Sequence, residues 1–164
     1  MKKLSATYKG LIIAGLMIIV SATLFYGFKF PPNDSSQLVV MGLYIMGIFW
    51  SLISLKPTEE KALRFKDYFS QGFKTFIIVT LLMVIYTAVF YKLNPQILEN
   101  VIAENEILVA KAGDKTPAEI KANSESLRSI FMPMTISLTT VIYLGLGALT
   151  SVVGGLILLN SQKK

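Results

Sequence analysis

The chain of 164 residues contains no cysteine and no histidine. Without cysteine it has no disulfide framework, no lipoprotein anchor, no thiolate metal site and no cysteine nucleophile. Without histidine, the commonest metal ligand and the usual near-neutral general base are both missing. We therefore expect no enzyme activity, no metal site and no cofactor.

Charge is also absent from long parts of the chain. Sixteen basic and ten acidic residues all lie outside four charge-free runs, Gly10–Phe28, Ser35–Leu55, Thr75–Tyr91 and Ser129–Gln162. A bilayer core about 30 Å thick is crossed by roughly 20 apolar residues of helix, and a central charge is costly there. The runs predict an all-α fold, an integral membrane four-helix bundle with spans at about 10–29, 36–55, 73–93 and 131–159.

The basic residues are placed unevenly around these spans. Ten lie at the two termini and between the second and third runs, and six lie in the two other loops. The positive-inside rule then places both termini in the cytoplasm. An even number of spans likewise requires the two termini to lie on the same side of the membrane. The net charge of +6 is thus an orientation signal, and we expect the lipid bilayer as a partner and no nucleic acid.

The N-terminus has an alternative interpretation. Lys2 and Lys3, the apolar stretch Leu11–Val20 and the triplet ending at Ala22 resemble a secretory signal peptide. The apolar run continues to Phe28, which gives it the length of a span. We favour an uncleaved span, and cleavage remains the alternative.

The segment 94–128 is patterned differently from the predicted bundle, which comprises 1–93 and 129–164. Asn94-Pro95 is typical of a helix N-terminus, Gly113 of a helix end, and Thr116-Pro117-Ala118-Glu119 of a capping box. The segment is expected to form an extracytoplasmic helical hairpin. Six acids could form a cation site, but their interleaving with lysines favours a solvated helix face: Glu99, Glu104, Glu106, Asp114, Glu119 and Glu125.

Two further patterns suggest contact surfaces. Small residues recur in the last span and are candidates for helix packing, within the bundle or in a homodimer: Gly147, Ser151 and Gly155, with Ala148 and Gly154 beside them. Aromatic residues at helical spacing precede the third span: Phe65, Tyr68, Phe69, Phe73 and Phe76. They predict an interfacial face that anchors the span, and docking of a partner helix is the alternative.

The order of motifs resembles a family of small bacterial membrane proteins catalogued as a domain of unknown function. The stretch Phe65–Thr75, Asn94-Pro95 beyond the next span, the acidic helical insert, Pro133 and the terminal lysine pair carry the resemblance. It implies four spans in the bacterial cytoplasmic (inner) membrane, and no catalytic or binding residues. Gly72, Asn94, Pro95 and Pro133 are candidate span-boundary residues.

These observations favour a non-enzymatic structural or accessory protein that acts through helix packing and its outer segment. An unknown membrane-protein partner or a homodimer fits that role. The charge-free runs contain hydroxyls and no ionisable acid or base, which weighs against an ion-coupled transporter. An oligomeric channel or transporter subunit is one alternative, and a membrane enzyme using the outer carboxylates is another.

Overall fold

The structure is a computed structural model that describes residues 4–32, 35–55, 63–113 and 115–161. These residues form helices and connecting turns and no strands, so the predicted all-α class is confirmed. Asp114, Lys2, Lys3 and the terminal lysine pair, on which the sequence analysis drew, lie outside the described residues. The helices are α1 (Ala6–Ala22), a π-helical turn (Thr23–Gly27), α2 (Gln37–Ile53), α3 (Phe65–Leu93), α4 (Pro95–Ala112) and α5 (Pro117–Ser161).

The first helix begins four residues before the charge-free run. Ser5 caps it, since its hydroxyl accepts a hydrogen bond from the Tyr8 backbone N–H at 3.3 Å. Near the other end the Thr23 hydroxyl donates to the Ile19 carbonyl at 2.8 Å, and the helix widens into the π-helical turn. The early start brings Lys9 inside the helix.

The local signals in the second half of the chain correspond to the observed helix ends. Helix α3 is one continuous helix of 29 residues, which joins the aromatic segment to the third apolar run. Gly113 ends α4 in the left-handed conformation, with φ of 74°, which glycine adopts without a Cβ clash. In the capping box the Glu119 carboxylate accepts from the Thr116 backbone N–H at 2.7 Å, and the Thr116 hydroxyl accepts from the Glu119 N–H at 3.4 Å.

Helix α5 is 45 residues long and contains Pro133 without a break. The acidic segment and the apolar run therefore belong to one helix. Proline removes one backbone donor and clashes with the preceding turn, yet it can be accommodated when the rest of the helix is well bonded.

Three helical segments of the described chain are long and apolar enough to cross a membrane, Ala6–Gly27, Phe65–Leu93 and Pro117–Ser161. In their most apolar windows only 22–28% of the residues are buried. Large apolar side chains therefore point outward along these helices, as in proteins whose outer surface contacts lipid. Helix α2 is also apolar, but its 17 residues are fewer than the roughly 20 of a typical membrane-crossing helix.

The chain divides into two compact units. Unit 1 contains Met1–Met83 and Thr140–Lys164, and unit 2 contains Val84–Thr139. The core of unit 1 is apolar and fully buried at residues of three helices: Ala14 and Met17 of α1, Tyr44, Ile48 and Leu52 of α2, and Val79 of α3. In unit 2, α4 and the first part of α5 form a helical hairpin joined by side-chain hydrogen bonds.

Candidate functional site

A ring of hydrogen bonds joins α2 and α3 inside unit 1. The Gln71 amide donates to the Ser51 hydroxyl at 3.1 Å, and the Thr75 hydroxyl donates to the Gln71 backbone carbonyl at 2.9 Å. Because the Thr75 proton is used there, Ser51 is the donor in its 2.7 Å contact with Thr75. Ser51 and Thr75 are fully buried. The ring satisfies both hydroxyls and ties the two helices together.

A lysine joins α1 to this ring. The Lys9 ammonium donates to the Ser54 hydroxyl, which donates in turn to the Ser51 backbone carbonyl at 2.7 Å. Lys9 is only 5% exposed, which is rare for a lysine. The next residue, Gly10, lies so close to α3 that a Cβ there would be 2.9 Å from the Thr75 carbonyl oxygen. We call Lys9, Ser51, Ser54, Gln71 and Thr75 the polar cluster.

Helix α5 crosses α3 where small residues face each other. A Cβ added to Gly72 would clash with the Ser151 hydroxyl and lie 2.7 Å from the Ser151 Cβ. Ser151 is fully buried and donates to the Gly147 carbonyl at 2.7 Å. Gly72 thus permits the close approach of the two backbones.

One turn away, Gly147 lies against two aromatic residues. A Cβ at Gly147 would clash with the Tyr44 hydroxyl and lie 2.6 Å from the Phe76 Cβ. The Tyr44 hydroxyl donates to the Tyr143 carbonyl at 2.8 Å, and the two rings form an edge-to-face pair at 5.1 Å. Because residue 147 is a glycine without a side chain, the buried Tyr44 has room beside α5.

The other small residues of α5 continue this packing. Cβ atoms at Gly154 and Gly155 would lie 2.8 Å from Leu52 Cδ1 and 3.2 Å from Tyr68 Cβ. Ala148, beside Gly147, is half-buried. The helix-packing candidates Gly147, Ser151, Gly154 and Gly155 thus face α2 and α3 of the same chain.

The five aromatic residues at the start of α3 do not form a single surface. Tyr68 and Phe76 are buried in unit 1, whereas Phe73 is largely exposed. Phe65 and Phe69 are half-buried. Four of the rings follow one another along the helix, with centroid distances of 6.1 Å for Phe65–Phe69, 6.3 Å for Phe69–Phe73 and 5.2 Å for Phe73–Phe76.

Unit 2 is held by polar pairs between α4 and α5. The Arg128 guanidinium forms a two-pronged pair with Glu99, with Nη2 to Oε2 at 2.8 Å. Its hydrogen bonds lower the pKa of the Glu99 carboxyl. The Asn123 side-chain amide donates to the Asn105 side-chain oxygen Oδ1 at 2.8 Å, and the Ser124 hydroxyl donates to the Glu106 carboxylate at 2.7 Å. Among the described residues, no group of three acids is gathered for a metal ion.

The span-boundary candidates have different positions. Gly72 lies at the crossing of α3 and α5. Asn94 occupies the expected position before Pro95, but its side chain does not cap α4. Its amide donates to the Phe90 carbonyl of α3 at 2.8 Å, and its carbonyl oxygen accepts from Gln96 at 3.2 Å. Pro95 is the first residue of α4, and Pro133 lies within α5.

The polar cluster was not predicted from the sequence, where Lys9 was interpreted only as an orientation charge. Gln71 and Thr75 lie four residues apart on α3 and therefore on one helical face. This spacing could have predicted a polar contact surface on α3. Chemically, the cluster offers hydroxyls, an amide and an ammonium. These groups can hold helices together and can bind an anion.

These helices define a class: an all-helical chain with outward-facing apolar helices of membrane-crossing length and a polar cluster inside. The predicted resemblance to a family catalogued as a domain of unknown function is confirmed. The chain belongs to the family described as "Protein of unknown function (DUF4199)", whose model matches residues 9–160. No curated protein and no solved structure matches the chain.

Proposed function

We propose that this protein is a non-enzymatic accessory protein of the bacterial cytoplasmic membrane. In this proposal the chain crosses the membrane four times, with both termini in the cytoplasm and the α4–α5 hairpin outside. The three long apolar helices and the distribution of basic residues support this arrangement. Helix α2 supports a fourth crossing because about 1.5 Å per residue brings its length close to that of a bilayer core.

The close packing of unit 1 is the observation that carries the accessory role. Gly72 and Gly147 have no room for a Cβ because Ser151, Tyr44 and Phe76 fill the space between the helices. Such packing supports a rigid scaffold more than a pathway for a substrate. Hydroxyls in the polar cluster bond to one another and to backbone carbonyls, which also favours a role in holding helices.

The hairpin supplies a surface for a partner. On α4, Leu108 is 66% exposed whereas Ile102 is 6% exposed. The adjacent Ile107 is also exposed, and neighbouring exposed apolar side chains that form a patch are typical of interaction surfaces. We therefore propose that a membrane-protein partner contacts α4 around Leu108.

Site-specific photocrosslinking in native membranes tests this function. A photoreactive amino acid at Leu108 should capture one defined membrane protein, identified by mass spectrometry. The same amino acid at Ile102 is the matched control and should crosslink only within the chain, because Ile102 is buried. Substrate turnover or ion flux by the purified protein alone in vesicles would contradict the accessory role.

A further inference from the structure

The first turns of α3 carry a row of two lysines and a serine on one side of the helix. Lys66, Ser70 and Lys74 recur at intervals of four residues, which places them above one another on the helix surface. Both lysines are exposed, and the small Ser70 between them is half-buried. The lysines are two turns apart, or about 12 Å along the helix axis. We call these three residues the basic stripe.

A second row, which is apolar, begins beside the basic stripe and continues into the apolar part of α3. Phe73, Ile77 and Leu81 also recur at intervals of four residues, and we call them the apolar stripe. Phe73 is 47% exposed and Leu81 is 56% exposed. The Phe73 ring is held between two others, with centroid distances of 6.3 Å to Phe69 and 5.2 Å to Phe76. The apolar stripe is thus an outward surface with a fixed aromatic ring at its basic end.

The charge around the basic stripe is positive overall. Asp67 is the only acid in α3, and its carboxylate accepts a hydrogen bond from the Arg64 backbone N–H at 2.9 Å, at the start of the helix. Between the second and third charge-free runs the sequence has five basic and three acidic residues. An exposed ammonium in such surroundings is suited to an anion with several acceptor oxygens, such as a phosphate.

We propose that this surface of α3 binds one anionic phospholipid, with its phosphate on Lys74 and an acyl chain along the apolar stripe. The inference rests on the proposed membrane crossing, in which the start of α3 lies at the cytoplasmic headgroup level. Lys74 is the last charged residue before the third charge-free run. Helical side chains lean toward the N-terminus, so the Lys74 ammonium reaches from the apolar boundary back toward the phosphates.

The two stripes together select this occupant. An anionic phospholipid joins a phosphate to an aliphatic chain, and the basic stripe meets the apolar stripe at the adjacent residues Phe73 and Lys74. From Phe73 to Leu81 the helix rises about 12 Å, which is most of one half of a hydrocarbon core about 30 Å thick. A zwitterionic lipid fits the apolar stripe equally well but lacks the net charge that interfacial lysines attract.

A tryptophan at Leu81 reports the occupant, because this position lies on the apolar stripe and is exposed. Trp50, the only tryptophan in the chain, is first replaced by phenylalanine. The variant is reconstituted in phosphatidylcholine vesicles in which a tenth of the lipid carries brominated acyl chains, which quench tryptophan fluorescence on contact. The brominated lipid is phosphatidylglycerol in one sample and phosphatidylcholine in the other. We expect the relative affinity for the anionic lipid to be about fivefold higher, as one lysine near the surface gives.

Further substitutions separate a specific site from general surface charge. Lys74→Gln should remove most of the preference, and Lys74→Arg should keep it because the charge and donors remain. Lys66→Gln should lower it less, since Lys66 is two turns farther from the apolar stripe. Arg64→Gln is the matched control, because Arg64 is exposed at the same end of α3 but two positions from Lys66, and so not on its side of the helix. An unchanged preference in Lys74→Gln, or an equal loss in Arg64→Gln, would overturn the proposal.

A second tryptophan position distinguishes failure of the site from failure of the membrane location. Leu149 of α5 is 61% exposed, and no basic residue lies within ten positions of it, so a tryptophan there should show no preference. If both positions show the same preference, the protein lies in the membrane but the anionic site is refuted. If fully brominated phosphatidylcholine quenches at Leu149 but not at Leu81, a protein surface covers α3 and the lipid site is refuted. If it quenches at neither position, the proposed membrane location fails and the lipid site fails with it.

Discussion

Replacing Gly147 by alanine tests the packing of unit 1 at one of its closest helix contacts. The new methyl group would clash with the Tyr44 hydroxyl and lie 2.6 Å from the Phe76 Cβ. Both neighbours are buried, so they cannot move aside into solvent. A shift of Tyr44 would also break its hydrogen bond to the Tyr143 carbonyl, which is 2.8 Å long.

Gly145 supplies the control, because a Cβ there meets nothing within 4 Å. Alanine at either position improves helix propensity by about 1 kcal/mol. Overpacking at Gly147 costs about 1–3 kcal/mol, and this cost is absent at Gly145. Gly147→Ala should therefore be less stable than Gly145→Ala by about 1–3 kcal/mol, or roughly 2–12 °C in melting temperature.

A thiol-reactive dye measures the opening of unit 1 in detergent. The chain has no cysteine, so one cysteine at the fully buried Ala14 reports opening without background. Fluorescence from the dye rises as heating exposes the thiol. If Gly147→Ala melted at or above Gly145→Ala, the reasoning about close helix contact at Gly147 would be refuted.

Three further changes test the polar contacts. Ser51→Ala should destabilise unit 1 by about 1–3 kcal/mol by leaving buried partners unpaired, whereas the exposed Ser137→Ala should change little in the same dye assay. Thr116→Ala should cost about 0.5–2 kcal/mol of helix stability and increase amide exchange in the first turn of α5; unchanged exchange would contradict the capping box. Hydrogen bonds from Arg128 lower the pKa of Glu99. The pair therefore stabilises the hairpin at any pH above the ordinary carboxyl pKa. This stabilisation is lost as the pH falls through the lowered pKa of Glu99. Hydrogen exchange in α4, corrected for its intrinsic pH dependence, should therefore rise at acid pH, and Glu99→Gln should show the faster exchange already at neutral pH.

The helix ends could be read from the sequence where a local signal determines them. Gly113 and Thr116 act on their own turns, so the end of α4 and the start of α5 were predictable. Asn94 was different, because its side chain can form a hydrogen bond either with the end of α3 or with the start of α4. It bonds to the Phe90 carbonyl of the preceding helix rather than capping the following one, and residue order alone does not decide that.

The polar cluster depends on contacts between distant parts of the chain. Lys9 and Ser54 are 45 positions apart, and the burial of Lys9 requires α2 and α3 to pack around it. A count of charges treats Lys9 like any loop lysine. The Ser51 hydroxyl likewise contacts Thr75, which lies on another helix, so the pattern of α2 alone does not predict this contact.

Membrane topology is the central claim, and labelling of single cysteines tests it most directly. Cysteines replace Lys29, Lys66, Lys111 and Ser161, and intact cells are treated with a membrane-impermeant maleimide. Four crossings predict labelling at Lys29 and Lys111 in intact cells, and labelling at Lys66 and Ser161 only after permeabilisation. Labelling of Lys29 and Lys66 from the same side would mean that α2 does not cross, and would contradict the account.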